Sequence, residues 1–156
     1  MNRRGQSVLY AVLLMPTLFL IFALAIDIGE LQLDRLRLRY ALDLATVSAA
    51  TAADANLYSR TGQLRFDDEA AVALTREYLV RNLGILRDTE QVTDMAAAAE
   101  IRVLNQLPAR DPYSGRVLDR PAIAARLRAS HQFNLLAWIG IRRADITVTA
   151  SSEIRR

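Results

Sequence analysis

Few side chains in this sequence are of a type that does covalent or proton-transfer chemistry, and their spacing argues against it. Ser130 and His131 are chain neighbours, which does not make a nucleophile–base pair, and the nearest carboxylates, Asp119 and Asp145, supply no obvious third member. His131 is the sole histidine and there is no cysteine, which excludes disulfide scaffolds, thiolate metal sites, cysteine nucleophiles and multi-histidine metal centres. His131 therefore reads as a structural or exposed histidine. Asp67, Asp68 and Glu69 have the donor type for a metal, but three acids at the start of an apolar-periodic stretch usually mark a helix amino terminus. The 6 glycines are scattered, with no phosphate-cradling loop among them. The reading is non-enzymatic: no catalytic residue, no cofactor and no metal is expected.

Two carboxylates stand out by their surroundings. Asp27 ends a long apolar run and reads as the first residue in water. Asp43 lies in an apolar-rich stretch and either faces solvent or hydrogen-bonds inside a helical bundle. Between Arg4 and Asp27 no residue is charged, and Val8–Ile26 gives 19 nearly continuous apolar positions. As a helix they rise roughly 28 Å, close to the ~30 Å hydrocarbon core of a bilayer. Pro16 inside the run removes a backbone donor, which bilayer helices tolerate as a kink. Arg3 and Arg4 precede the run, whereas Asp27, Glu30 and Asp34 follow it, so the positive-inside rule puts the amino terminus in the cytoplasm. Ala23-Leu24-Ala25 also has the small-x-small pattern of a signal cleavage site. The length of the run, and the helix-like pattern that follows, favour a retained anchor. The chain is thus divided into a cytoplasmic terminus (1–7), a transmembrane helix (8–26) and an extracytoplasmic domain (27–156).

All 20 basic residues are arginine, which inflates the isoelectric point. Beyond residue 26, 18 arginines face 17 acids, so that part is nearly neutral and carries no nucleic-acid footprint. Asp27 to Ala53 reads as a continuation of the membrane helix with two apolar faces. Ile26, Leu33, Leu36, Tyr40, Leu44 and Val47 mark one; Leu31, Leu38, Leu42 and Ala45 mark the other. Either both faces enter one core, or one of them meets another subunit. Asn56 to Phe66 reads as a turn, followed by a helix capped by Asp67, buried through Ala71, Leu74, Tyr78 and Leu79, and ended by Gly84. After a polar connector come strand patterns at 100–105, 123–129 and 145–151, with helix the rival reading of the middle one. Asp111-Pro112-Tyr113-Ser114-Gly115 marks a turn. Phe133 to Ile139 reads as a short helix closed by Gly140. Trp138, with Phe133 and Leu136, reads as core in preference to an interface patch. The fold class is α+β: a long amino-terminal helix, a second helix and a small antiparallel sheet.

The amino-terminal half carries a set of features in register: Arg4-Gly5-Gln6-Ser7, a proline in the apolar run, Ile26-Asp27-Ile28-Gly29, and Ala41-Leu42-Asp43-Leu44-Ala45 leading into an alanine-rich stretch. It resembles the TadE/TadG-like proteins of the tight-adherence (Flp) pilus assembly system over residues 3 to about 53. The resemblance implies a pilin-like domain, a bacterial inner-membrane location with the carboxy-terminal domain in the periplasm, and a role in pilus assembly and adhesion. The implied partners are membrane lipid and pilus-machine or pilin subunits, in a homo- or hetero-oligomer. One feature departs from the pseudopilin pattern. The leader-like glycine is Gly5, and the fifth residue after it is Tyr10 instead of glutamate, which points to an uncleaved, TadG-type anchor. Gly5, Tyr10, Pro16, Asp27, Gly29, Leu38, Leu42 and Asp43 are accordingly the candidate helix-packing or interaction residues. The alternatives are a processed minor pseudopilin within the filament and a soluble binding domain released after Ala25.

Overall fold

The computed structural model describes residues 3–51, 55–85 and 89–154. Helix α1 (Arg3–Ala49) runs without a break through Pro16 and through Asp27. Proline leaves one carbonyl of the preceding turn without its donor. The Thr17 hydroxyl next to it donates to the Leu13 carbonyl at 3.0 Å. Helix α2 (Ala55–Thr61) occupies part of the segment read as a turn, which begins only at Gly62, in the left-handed region at φ 68°. Helix α3 (Asp68–Leu83) has the expected cap: the Asp67 carboxylate accepts from the Glu69 and Ala70 amides, both at 3.1 Å. Its buried face is Ala71, Thr75, Leu79 and Leu83, while Leu74 and Tyr78 are half-buried. Helix α4 (Thr89–Ala97) lies where the sequence read as a polar connector.

Strand β1 (Glu100–Leu104) pairs antiparallel with β4 (Ala122–Gln132), Glu100 opposite Arg126 and Leu104 opposite Ala122. Strand β5 (Arg143–Glu153) lies on the other side of β4, giving the order β1-β4-β5. Two short strands, β2 (Ala109–Arg110) and β3 (Val117–Leu118), form a separate hairpin around the Asp111–Gly115 turn. The class is α+β, and the segment with a rival helical reading is the central strand.

The chain forms two compact units. One comprises residues 35–129 and 145–156. Its core includes Ala49, Phe66, Ala71, Ile123 and Ile154, with Leu64, Leu74, Ile101 and Val103 packed against them. Ala122, Ile123, Ala124 and Ala125 are all fully buried, so β4 is covered on both faces and its small side chains allow close packing. The Asn105 amide, directly after β1, holds the segment that leads into α3: it accepts from the Phe66 amide at 2.8 Å and donates to the Phe66 carbonyl at 3.1 Å.

The other unit comprises residues 1–34 and 130–144. It holds the amino-terminal part of α1 and the connection between β4 and β5. That connection contains a 3-10 turn, Leu136–Ile139, closed by Gly140 at φ 94°.

Candidate functional site

From Val12 to Ile26 the side chains of α1 are exposed with the exception of Ala23. A helix that is apolar all round and uncovered is not the core helix of a water-soluble fold, because that surface in water is strongly unfavourable. It is long and apolar enough to cross a membrane.

Asp27 is where this surface changes. It is fully buried, and its carboxylate accepts from the backbone amides of Leu135 (3.0 Å) and Leu136 (2.5 Å). These amides open the 3-10 turn and have no acceptor of their own there, since Leu135, at the cap position, brings no side-chain bond. The expectation of a solvated Asp27 is therefore corrected: a distant segment folds over it. Glu30 and Asp34 follow on the same helix face at three- and four-residue steps. Asn134 donates to Glu30 at 3.3 Å, and His131 Nδ1 lies 2.8 Å from Asp34 Oδ2. The acids that follow the apolar run thus form a ladder along α1, gripping residues 131–136 in antiparallel order. His131 is structural: buried, paired with Asp34, and edge-on to Phe133 with ring centroids 5.3 Å apart.

The remaining candidates are scattered. Gly5 lies in α1, with its surroundings outside the described residues. Tyr10 and Pro16 are exposed on the apolar segment, and a Cβ at Gly29 would meet open space. Asp43 is half-buried, with Arg39 Nε at 3.7 Å from its carboxylate. Leu38 and Leu42 are 2 % and 0 % exposed, whereas Leu36 and Tyr40 are 64 % and 66 % exposed. The stripe left open on α1 is therefore the one through Ile26, Leu33, Leu36, Tyr40, Leu44 and Val47. Beside it, Tyr40, Leu44 and Ile85 line a small cleft of about 160 Å³ with Arg37, Ala41 and Asn82. Trp138 is 88 % exposed, which corrects its assignment to the core. Of its two expected neighbours Leu136 is buried and Phe133 half-buried.

The polar contacts of the larger unit serve its hairpin and sheet. Arg126 holds the Glu100 carboxyl below its usual range, with a 2.5 Å bond that outweighs the opposing desolvation. Burial, with the Glu100 charge, pushes the Tyr113 phenol up; its ring lies 4.9 Å from the Arg126 guanidinium. Burial raises Asp111, but the Ser114 hydroxyl, the Tyr113 and Ser114 amides and Ser151 outweigh it, leaving the carboxyl below its usual value. Asp67 serves as a helix cap, which accounts for its place in the acidic trio.

The fold class is α+β, and α1 carries an uncovered apolar segment of membrane length. Residues 5–54 match the model of the Tad family, described as putative Flp pilus-assembly TadE/G-like, so the amino-terminal third of the chain is similar to that family. No curated protein and no solved structure matches the chain.

Proposed function

We propose that this protein is a membrane-anchored, non-enzymatic component of Flp pilus assembly that works through helix packing and protein–protein contacts. The observation that carries the reading is a coincidence of two limits. The family match over residues 5–54 covers both the uncovered apolar segment of α1 and the open stripe from Ile26 to Val47. The apolar segment spans the bacterial inner membrane, with Arg3 and Arg4 on the cytoplasmic side and the bulk of the chain in the periplasm. The stripe through Leu36 and Tyr40 meets a helix of the pilus machine or of a pilin subunit. Removing such apolar surface from water is the main drive for association.

The experiment combines three measurements on the protein expressed with the pilus genes. Intact mass of the membrane-extracted chain is expected to show residues 8–26 retained. A species beginning at Gln6 would instead make it a processed filament subunit, and one beginning at Ile26 a released domain. A periplasm-dependent reporter fused after Arg156 is expected to be active. A photo-crosslinking residue at Leu36 is expected to capture a pilus component; crosslinking to none of them would sink the assembly role.

A further inference from the structure

Trp138, the only tryptophan of the chain, is 88 % exposed, and Ile139 and Ile141 beside it are exposed as well. They are not on a loose loop. The Gly140 amide donates back to the Ala137 and Leu136 carbonyls, Ile141 donates to the Leu136 carbonyl at 3.1 Å, and Phe133 donates to the Arg142 carbonyl at 3.0 Å. Asp27 binds the first amides of the same turn, which fixes the turn against α1 at the residue where the apolar run ends. Burial of Ala23 shows that coverage of this helix face continues one turn into the run. Immediately after the apolar knob come Arg142 and Arg143, both exposed.

We propose that Trp138, Ile139 and Ile141, with Arg142 and Arg143, form a second membrane contact, seated in the headgroup region of the bilayer beside the end of the apolar segment of α1. The inference rests on α1 being a membrane anchor. Three observations name lipid as the occupant. The turn that carries the knob is bound at Asp27, the residue at which the apolar, uncovered run of α1 ends. Its leading residue is the amphipathic ring that prefers the water–hydrocarbon boundary. The two arginines can keep their guanidinium groups at phosphate level while their stems lie along apolar surface. The contact would hold the α1 end at a set depth by two attachments instead of one.

The test uses full-length protein in phosphatidylcholine–phosphatidylglycerol vesicles carrying bromine at shallow or deep acyl positions. Trp138 is expected to emit at shorter wavelength than an exposed indole, to lose most of its emission to shallow bromine, and to resist aqueous iodide. A companion variant, Phe19→Trp with Trp138→Phe, reports on the anchor and is expected to respond to deep bromine. Quenching at position 19, with Trp138 open to iodide and blind to bromine, overturns the second contact while the anchor stands. Trp138 shielded from both quenchers overturns it in favour of a protein contact. No bromine quenching at either position removes the anchor and the second contact together.

Discussion

The Leu136 amide donates at 2.5 Å to the carboxylate of Asp27, a residue 109 positions earlier in the chain. With the Leu135 amide beside it, this makes Asp27 the cap of a turn that has none locally. Asp27→Ala would leave one buried and one part-buried amide without acceptors, a cost of about 2–4 kcal/mol. Asp27→Asn keeps one carbonyl oxygen but loses the charge, and should cost about half as much. Urea unfolding of the detergent-solubilised chain, followed by circular dichroism, measures both. An unchanged midpoint for the alanine variant would contradict the capping role.

The two faces of α1 should respond oppositely to the same change. Leu42→Arg places a charge at a fully buried position and should unfold the larger unit, at more than about 4 kcal/mol. Leu36→Arg, on the open stripe, should stay within about 0.5 kcal/mol in a melt. It should nonetheless abolish co-purification with pilus components.

Gly140 sits at φ 94°, and a Cβ there would meet no atom within 4 Å. Its replacement is therefore a torsional problem without a steric one. Gly140→Ala should cost about 1–2 kcal/mol, read as a lower midpoint in thermal denaturation, and should make the Leu136–Ile139 turn more open to limited proteolysis. Equal stability of the two proteins would show that the turn relaxes freely.

Asp111 ties the β2–β3 hairpin, and its carboxyl lies below its unfolded value. As pH falls, the unfolded chain takes up this proton first. The stabilisation is thus complete above roughly pH 4 and is lost as pH drops through the lower folded value. Asp111→Asn should flatten the acid limb of the melting temperature against pH. An acid limb identical to that of the unaltered protein would assign the loss to other carboxylates.

What the sequence discloses here is what is encoded locally. Asp67 is followed at once by the amides it caps, and Ile146-Thr147-Val148 alternates as an outer strand does, so α3 and β5 are plain to read. Helix α4 has the run Thr89-Glu90-Gln91-Val92-Thr93-Asp94, in which the buried Val92 is set among polar residues that mask the helical pattern. Ala122–Ala125 has no alternation because both faces of the central strand are covered, and this is why a helix competes for it on paper. Leu38 and Leu42 look no different from Leu36 in a helical pattern; which stripe is covered depends on elements much later in the chain. Trp138 misleads for another reason. A large aromatic beside leucines signals burial in a protein core, and here it points outward. The binding of Asp27 leaves no local trace, because its partners are main-chain amides that any residues at 135 and 136 would supply.

The acidic ladder also sets a schedule. Asp27, Glu30 and Asp34 are synthesised about a hundred residues ahead of His131, Asn134 and Leu136, so at ~5–20 residues per second they stand bare for about 5–20 s. In the anchored reading, the apolar run enters the bilayer during that interval with three naked charges behind it, and hydrated carboxylates do not follow a helix into hydrocarbon. The same acids that later bind residues 131–136 thus first act as a doorstop, fixing how far the helix slides before the last quarter of the chain arrives to engage them.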